Sequence, residues 1–105
     1  MNKRMVSSLV CTVDGDVISV EFFKDLDHAY RELDRQVDDE ISKLEKDGIH
    51  MEDIQVSKST SYVRIRWRFK PEYLRETYPE YTPQDIERES RERLTVFAVF
   101  DGTVE

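Results

Sequence analysis

One cysteine, two histidines, three glycines and three prolines among 105 residues leave little from which to build an enzyme. The single thiol, Cys11, forms no internal disulfide, and its place in an apolar run suits a small buried hydrophobe in a reducing compartment. A cytoplasmic protein with an inert thiol is therefore expected. His28 and His50 have no ligands at metal spacing and no evident acid–base partner. Asp14 and Asp16 flank Gly15, but the rest of a calcium-binding EF-hand loop is missing, so a turn is the expected role. The glycines are also spent: Gly15 in that turn, Gly48 behind a helix, and Gly102 just past the last strand. None is left for a phosphate-cradling loop or a nucleophile elbow. No catalytic set, metal or cofactor is expected.

Long hydrophobic runs are missing too. No segment approaches the ~20 apolar residues that span a bilayer. The basic start at Lys3 and Arg4 precedes a run, residues 5–11, too short and too polar for a signal core. The chain should be soluble and off the membrane, and its net charge of −7 opposes direct binding to nucleic acid. The charge is segregated: residues 14–53 are strongly acidic, whereas residues 54–70 carry Lys58, Arg64, Arg66, Arg68 and Lys70 and no acid.

What is present specifies one α+β domain over residues 1–105, a length that suits one ordinary core. Residues 5–13 and 17–23 read as strands of a hairpin, because Asp14-Gly15 supplies the positive φ angles of a tight turn. In the second strand Ile18, Val20 and Phe22 share one side and Ser19 and Glu21 the other, so the apolar side is expected inward. From residue 26 to 47 the period changes: Leu26, Ala29, Tyr30, Leu33, Val37, Ile41 and Leu44 recur at helical steps, with Asp25 or Asp27 to cap the start and Gly48 to end it. Residues 49–57 and 62–69 read as two more strands, the second alternating Val63, Ile65, Trp67 and Phe69 against Tyr62, Arg64, Arg66 and Arg68. Residues 71–81 read as a loop with one helical turn, and Thr82-Pro83 as the start of a short helix. Residues 94–100, apolar on both sides, suit a central strand. The expected order is β-β-α-β-β-(α)-β: a four- or five-stranded, largely antiparallel sheet with the long helix packed on one face and a short second helix.

Two surfaces are candidates for function. The helix presents Glu32, Asp34, Asp38, Asp39 and Glu45, and the loop carries Tyr73, Tyr78 and Tyr81. Together they suggest a regulator or inhibitor of a larger basic protein, the carboxylates standing in for the phosphates that a nucleic-acid-binding protein recognises. The bland alternatives are a solvated helix face with internal ion pairs and tyrosines folded over the sheet edge. The other surface is the row Arg64, Arg66 and Arg68 beside Tyr62, whose guanidinium groups stand about 7 Å apart along one strand face. Carboxylates from a neighbouring strand or from residues 87–89 can answer that row internally. Otherwise it suits an anionic small molecule or a nucleotide, with a homodimer forming the site between apposed sheets.

Overall fold

The computed structural model describes residues 4–104, so Lys3 of the basic start lies outside the described residues. Its first two elements are the expected hairpin, β1 (Arg4–Val13) and β2 (Asp16–Phe23). Asp14 (φ 52°) and Gly15 (φ 87°) both take left-handed backbone, the requirement of a two-residue type I′ turn. Asp14 also anchors the hairpin tip. Its backbone N–H donates to the Leu94 carbonyl (2.8 Å), its Oδ1 accepts from the Leu94 N–H (3.0 Å), and its Oδ2 meets Arg93 Nε at 3.2 Å.

Helix α1 (Leu26–Lys46) starts at Asp25, whose carboxylate accepts from the His28 N–H. Behind the helix, Gly48 sits at φ 96°, a region where a side chain would be strained. Buried Ala29, Leu33, Val37 and Leu44 form the stripe that faces the sheet. Strands β3 (Ile54–Lys58) and β4 (Tyr62–Trp67) follow, β3 being shorter than expected because residues 51–53 close into a 3-10 turn. Ile49, expected in that strand, is instead a buried loop residue of the core.

Residues 71–81, expected to be a loop with one helical turn, contain the two-turn helix α2 (Pro71–Thr77), and the short helix expected from Thr82-Pro83 is α3 (Pro83–Glu89). Each has proline in its first turn, where no N–H is needed. Buried Leu74 and Ile86 hold them, and Thr82 and Asp85 form a reciprocal capping box. Strand β5 (Arg93–Val104) runs further than expected and takes Gly102 within it, opposite Val6 of β1.

The sheet is five-stranded and antiparallel throughout, in the order β2-β1-β5-β4-β3, with the apolar β5 in its centre. The main core cluster lies between α1 and one sheet face, built from Leu9, Cys11, Val63, Ile65, Trp67, Phe97 and Val99 against the helix stripe. Trp67 Nε1 donates to Thr95 Oγ1 at 3.1 Å, so two polar atoms are matched inside that layer.

The hairpin's second strand corrects one expectation. Ile18, Val20 and Phe22 do not face the core; they are 63, 47 and 72% exposed. Register is the cause. Leu9 and Cys11 of β1 point at α1 and pair with Glu21 and Ser19, so those polar residues share the helix side. Glu21 accepts a hydrogen bond from Gln36 of α1 (2.9 Å), and Phe23 packs on the rim of the core. Ile18 is the extra residue of a bulge, since Ser19 pairs with Cys11 and Val17 with Thr12.

Candidate functional site

No element covers the second face of the sheet among the described residues. The register assigns its membership: Val20 and Phe22 of β2, Ser8, Val10 and Thr12 of β1, Leu94, Val96, Ala98 and Phe100 of β5, Tyr62, Arg64 and Arg66 of β4, and Gln55 and Ser57 of β3. These strand positions include no aspartate or glutamate, although the chain carries 23 of them. The β2 side of the face is apolar, with Phe22 and Phe100 largely exposed. The β4 side is basic.

The arginine row divides in two. Arg68, past the end of β4, meets Asp53 (Nε to Oδ1, 3.5 Å), a carboxylate only 7% exposed that also lies 3.3 Å from Lys70 Nζ. It is answered internally. Arg64 and Arg66 are exposed, and no carboxylate of the described residues lies within ion-pair distance of either. Their cross-strand neighbours are Ser57 and Val96 for Arg64, and Gln55 and Leu94 for Arg66. Residues 87–89 do not reach them, because Arg88 engages Glu89 and Asp85 at 3.1 Å each. The Arg64 guanidinium stands 4.9 Å from the centre of the Tyr62 ring, which holds it over the sheet. Arg66 lines a cleft of 210 Å³ together with Glu52, Asp53 and Glu92. Two forked donors beside an aromatic ring, on a strand face that holds no acid at its own positions, can grip a phosphate or carboxylate bidentately.

The acidic helix face is more self-contained. Arg35 bonds Glu32 through two nitrogens and Asp39 at 2.7 Å, and the arginine holds the Glu32 carboxyl down to about 2. Gln36 also donates to Glu32 (3.1 Å). Asp34, Asp38 and Glu45 are exposed and make no ion pair within the described residues.

The tyrosines separate as well. Tyr73, in α2, stacks on Phe69 (5.8 Å between centres) and donates to the Asp47 carbonyl at the end of α1, a packing role. Tyr78 and Tyr81 stack on each other at 4.7 Å in the turn between α2 and α3. The expected single tyrosine surface is thus a structural residue and a separate stacked pair, Tyr78 exposed and Tyr81 half-buried.

Among the described residues no group of His, Cys, Asp and Glu is placed to hold a metal ion, and no helix is long and apolar enough to cross a membrane. Cys11 is buried beneath α1, and burial together with Glu40 raises its thiol above its usual value. No protein-family model, curated protein or solved structure matches the chain. The geometry alone carries the functional argument.

Proposed function

We propose that the protein is a non-enzymatic binding module of the cytoplasm whose working surface is the uncovered sheet face, with Arg64, Arg66 and Tyr62 taking an anionic group of the ligand. The observation that carries this reading is that Arg64 and Arg66 stand side by side on a sheet face with no acid at its strand positions and, among the described residues, without an ion-pair partner. Adjacent like charges on one strand repel. An external anion relieves that repulsion, and the neighbouring apolar surface favours a ligand with an apolar or aromatic body, such as a nucleotide. The test is thermal unfolding with added phosphate, sulfate or a nucleotide. A ligand at about 100 times its Kd adds roughly 2.7 kcal/mol to the folded state. The wild-type melting temperature should rise, and the double variant R64Q/R66Q should melt at or above the wild type without anion and ignore its addition. Equal anion effects on both proteins would reject the assignment.

A second reading rests on Asp34, Asp38 and Glu45, which make no ion pair among the described residues, with Tyr78 and Tyr81 on a separate element between α2 and α3. In it the protein is a regulator or inhibitor that presents carboxylates to a basic protein partner, such as a nucleic-acid-binding protein. Glu32 and Asp39 contribute less there, being engaged by Arg35.

A further inference from the structure

We propose that a second copy of this chain covers the apolar β2-β1-β5 part of the uncovered sheet face and leaves the β4 side open, so that the protein in solution is a face-to-face homodimer with a two-sheet core. Three observations lead to it. A folded monomer of 12.5 kDa exposes about 6,200 Å² by the usual size scaling, whereas this chain exposes 7542 Å². The excess, roughly 1,300 Å², is larger than the ~800 Å² that each partner contributes to a standard stable interface. The radius of gyration agrees, 17.1 Å against about 13 Å for a compact domain of this length.

The sheet is also extended along one pair of strands. β1 and β5 continue as a two-stranded ribbon past the ends of their neighbours: Arg4 to Val6 pair with Val104 to Gly102, while β2 begins its pairing only at Ser7 and β4 reaches only Ala98. A lone two-stranded ribbon is marginal in water. It is continuous with the uncovered face, because Val6, Ser8 and Val10 alternate onto the same side as Phe100 and Phe22. One occupant that covers both must therefore be long, flat and apolar, and a second such sheet fits at the usual spacing of about 10 Å.

Charge chooses the copy over other parts of the same protein. A chain of net charge −7 resists self-association wherever its carboxylates meet. The uncovered face has none at its strand positions, so two copies apposed there bury no acid. Phe22, Val20, Val10 and Phe100 supply the apolar contact, and Arg64 and Arg66 stay at its edge.

This proposal shares the face with the anion reading but not the residues, which keeps the two separable. Sedimentation equilibrium near about 100 µM, where an interface of standard size is occupied, should give twice 12.5 kDa for the wild type and for R64Q/R66Q. F22E/F100E changes two residues already exposed in the single chain, so its fold should hold by far-UV circular dichroism. It should sediment as a monomer, its self-association weakened at least about tenfold. A monomeric wild type at that concentration overturns the proposal, as does a folded F22E/F100E that remains a dimer. Isotope-filtered NOEs between labelled and unlabelled wild-type copies need no variant: contacts from Val10, Val20 and Phe100 across copies support it, and cross-copy contacts confined to α1 or to the outer edge of β3 refute it.

Discussion

Trp67 offers the sharpest test of the core, because it mixes apolar packing with one buried hydrogen bond. Its ring is 8% exposed, meets Phe69 edge-on at 6.0 Å, lies under Arg93 at 5.4 Å, and donates to the hydroxyl of Thr95, itself 1% exposed. Truncation to alanine removes the ring and opens a cavity beneath α1, a loss of about 3–5 kcal/mol. Trp67→Phe keeps much of the volume but leaves the Thr95 hydroxyl without its donor, at a cost of about 1–3 kcal/mol. Adding Thr95→Val to that background removes the orphaned oxygen as well, and deleting both partners of a buried bond is close to neutral. Urea unfolding followed by tryptophan fluorescence serves for the wild type and Thr95→Val, and far-UV circular dichroism for the Trp67 variants. W67F/T95V should be more stable than W67F. If the double variant is the less stable, Thr95 contributes by packing and the hydrogen-bond argument fails. A Trp67→Ala protein with an unchanged midpoint would mean that β4 faces the other way.

Three further outcomes follow from the same geometry. Cys11 should react slowly with a thiol reagent in the folded protein and rapidly after denaturation, and equal rates would contradict its burial. Gly48→Ala should destabilise by about 1–2 kcal/mol, since its φ of 96° strains an L residue and the new methyl crowds the Tyr73 ring against the α1 terminus; an unchanged urea midpoint would count against that geometry. Glu32, Asp25 and Asp85 all have carboxyls held below their usual values, by Arg35, by the His28 N–H and by the Thr82 N–H respectively. Their stabilisation is present above the ordinary carboxylate range and is lost as pH falls, for Glu32 between 4.5 and about 2. Glu32→Gln should flatten that part of the acid-unfolding curve, and an identical curve would show that its pair with Arg35 is not maintained in solution.

Much of the fold was legible because its signals are local. Asp14-Gly15 specifies a type I′ turn, the 3.6-residue recurrence from Leu26 to Leu44 specifies α1, and the alternation from Val63 to Trp67 fixes which side of β4 is buried. The side of β2 was not legible, because alternation shows that two faces differ without showing which one meets the helix. That choice was made by the β1 register, and β1 has apolar residues on both sides, Leu9 and Cys11 on one and Val6 and Val10 on the other. The extent of α2 was hidden for a related reason: it is two turns long and has one buried anchor, Leu74, which is too few for a visible period, whereas the Thr82-Pro83 cap announced α3 despite its single anchor, Ile86. The arginine row was legible as a row. Its division into a paired Arg68 and unpaired Arg64 and Arg66 depends on Asp53, which the 3-10 turn brings beside the end of β4.

The central claim is that the uncovered face of the sheet, rather than the acidic face of α1, is the working surface. Amide and side-chain NMR of the labelled protein during titration with phosphate, and then with a nucleotide, tests it most directly. Saturable shifts are expected at Tyr62, Arg64 and Arg66 and their neighbours Ser57 and Val96, with α1 unmoved. Shifts confined to other regions, or none at saturating anion, would contradict it.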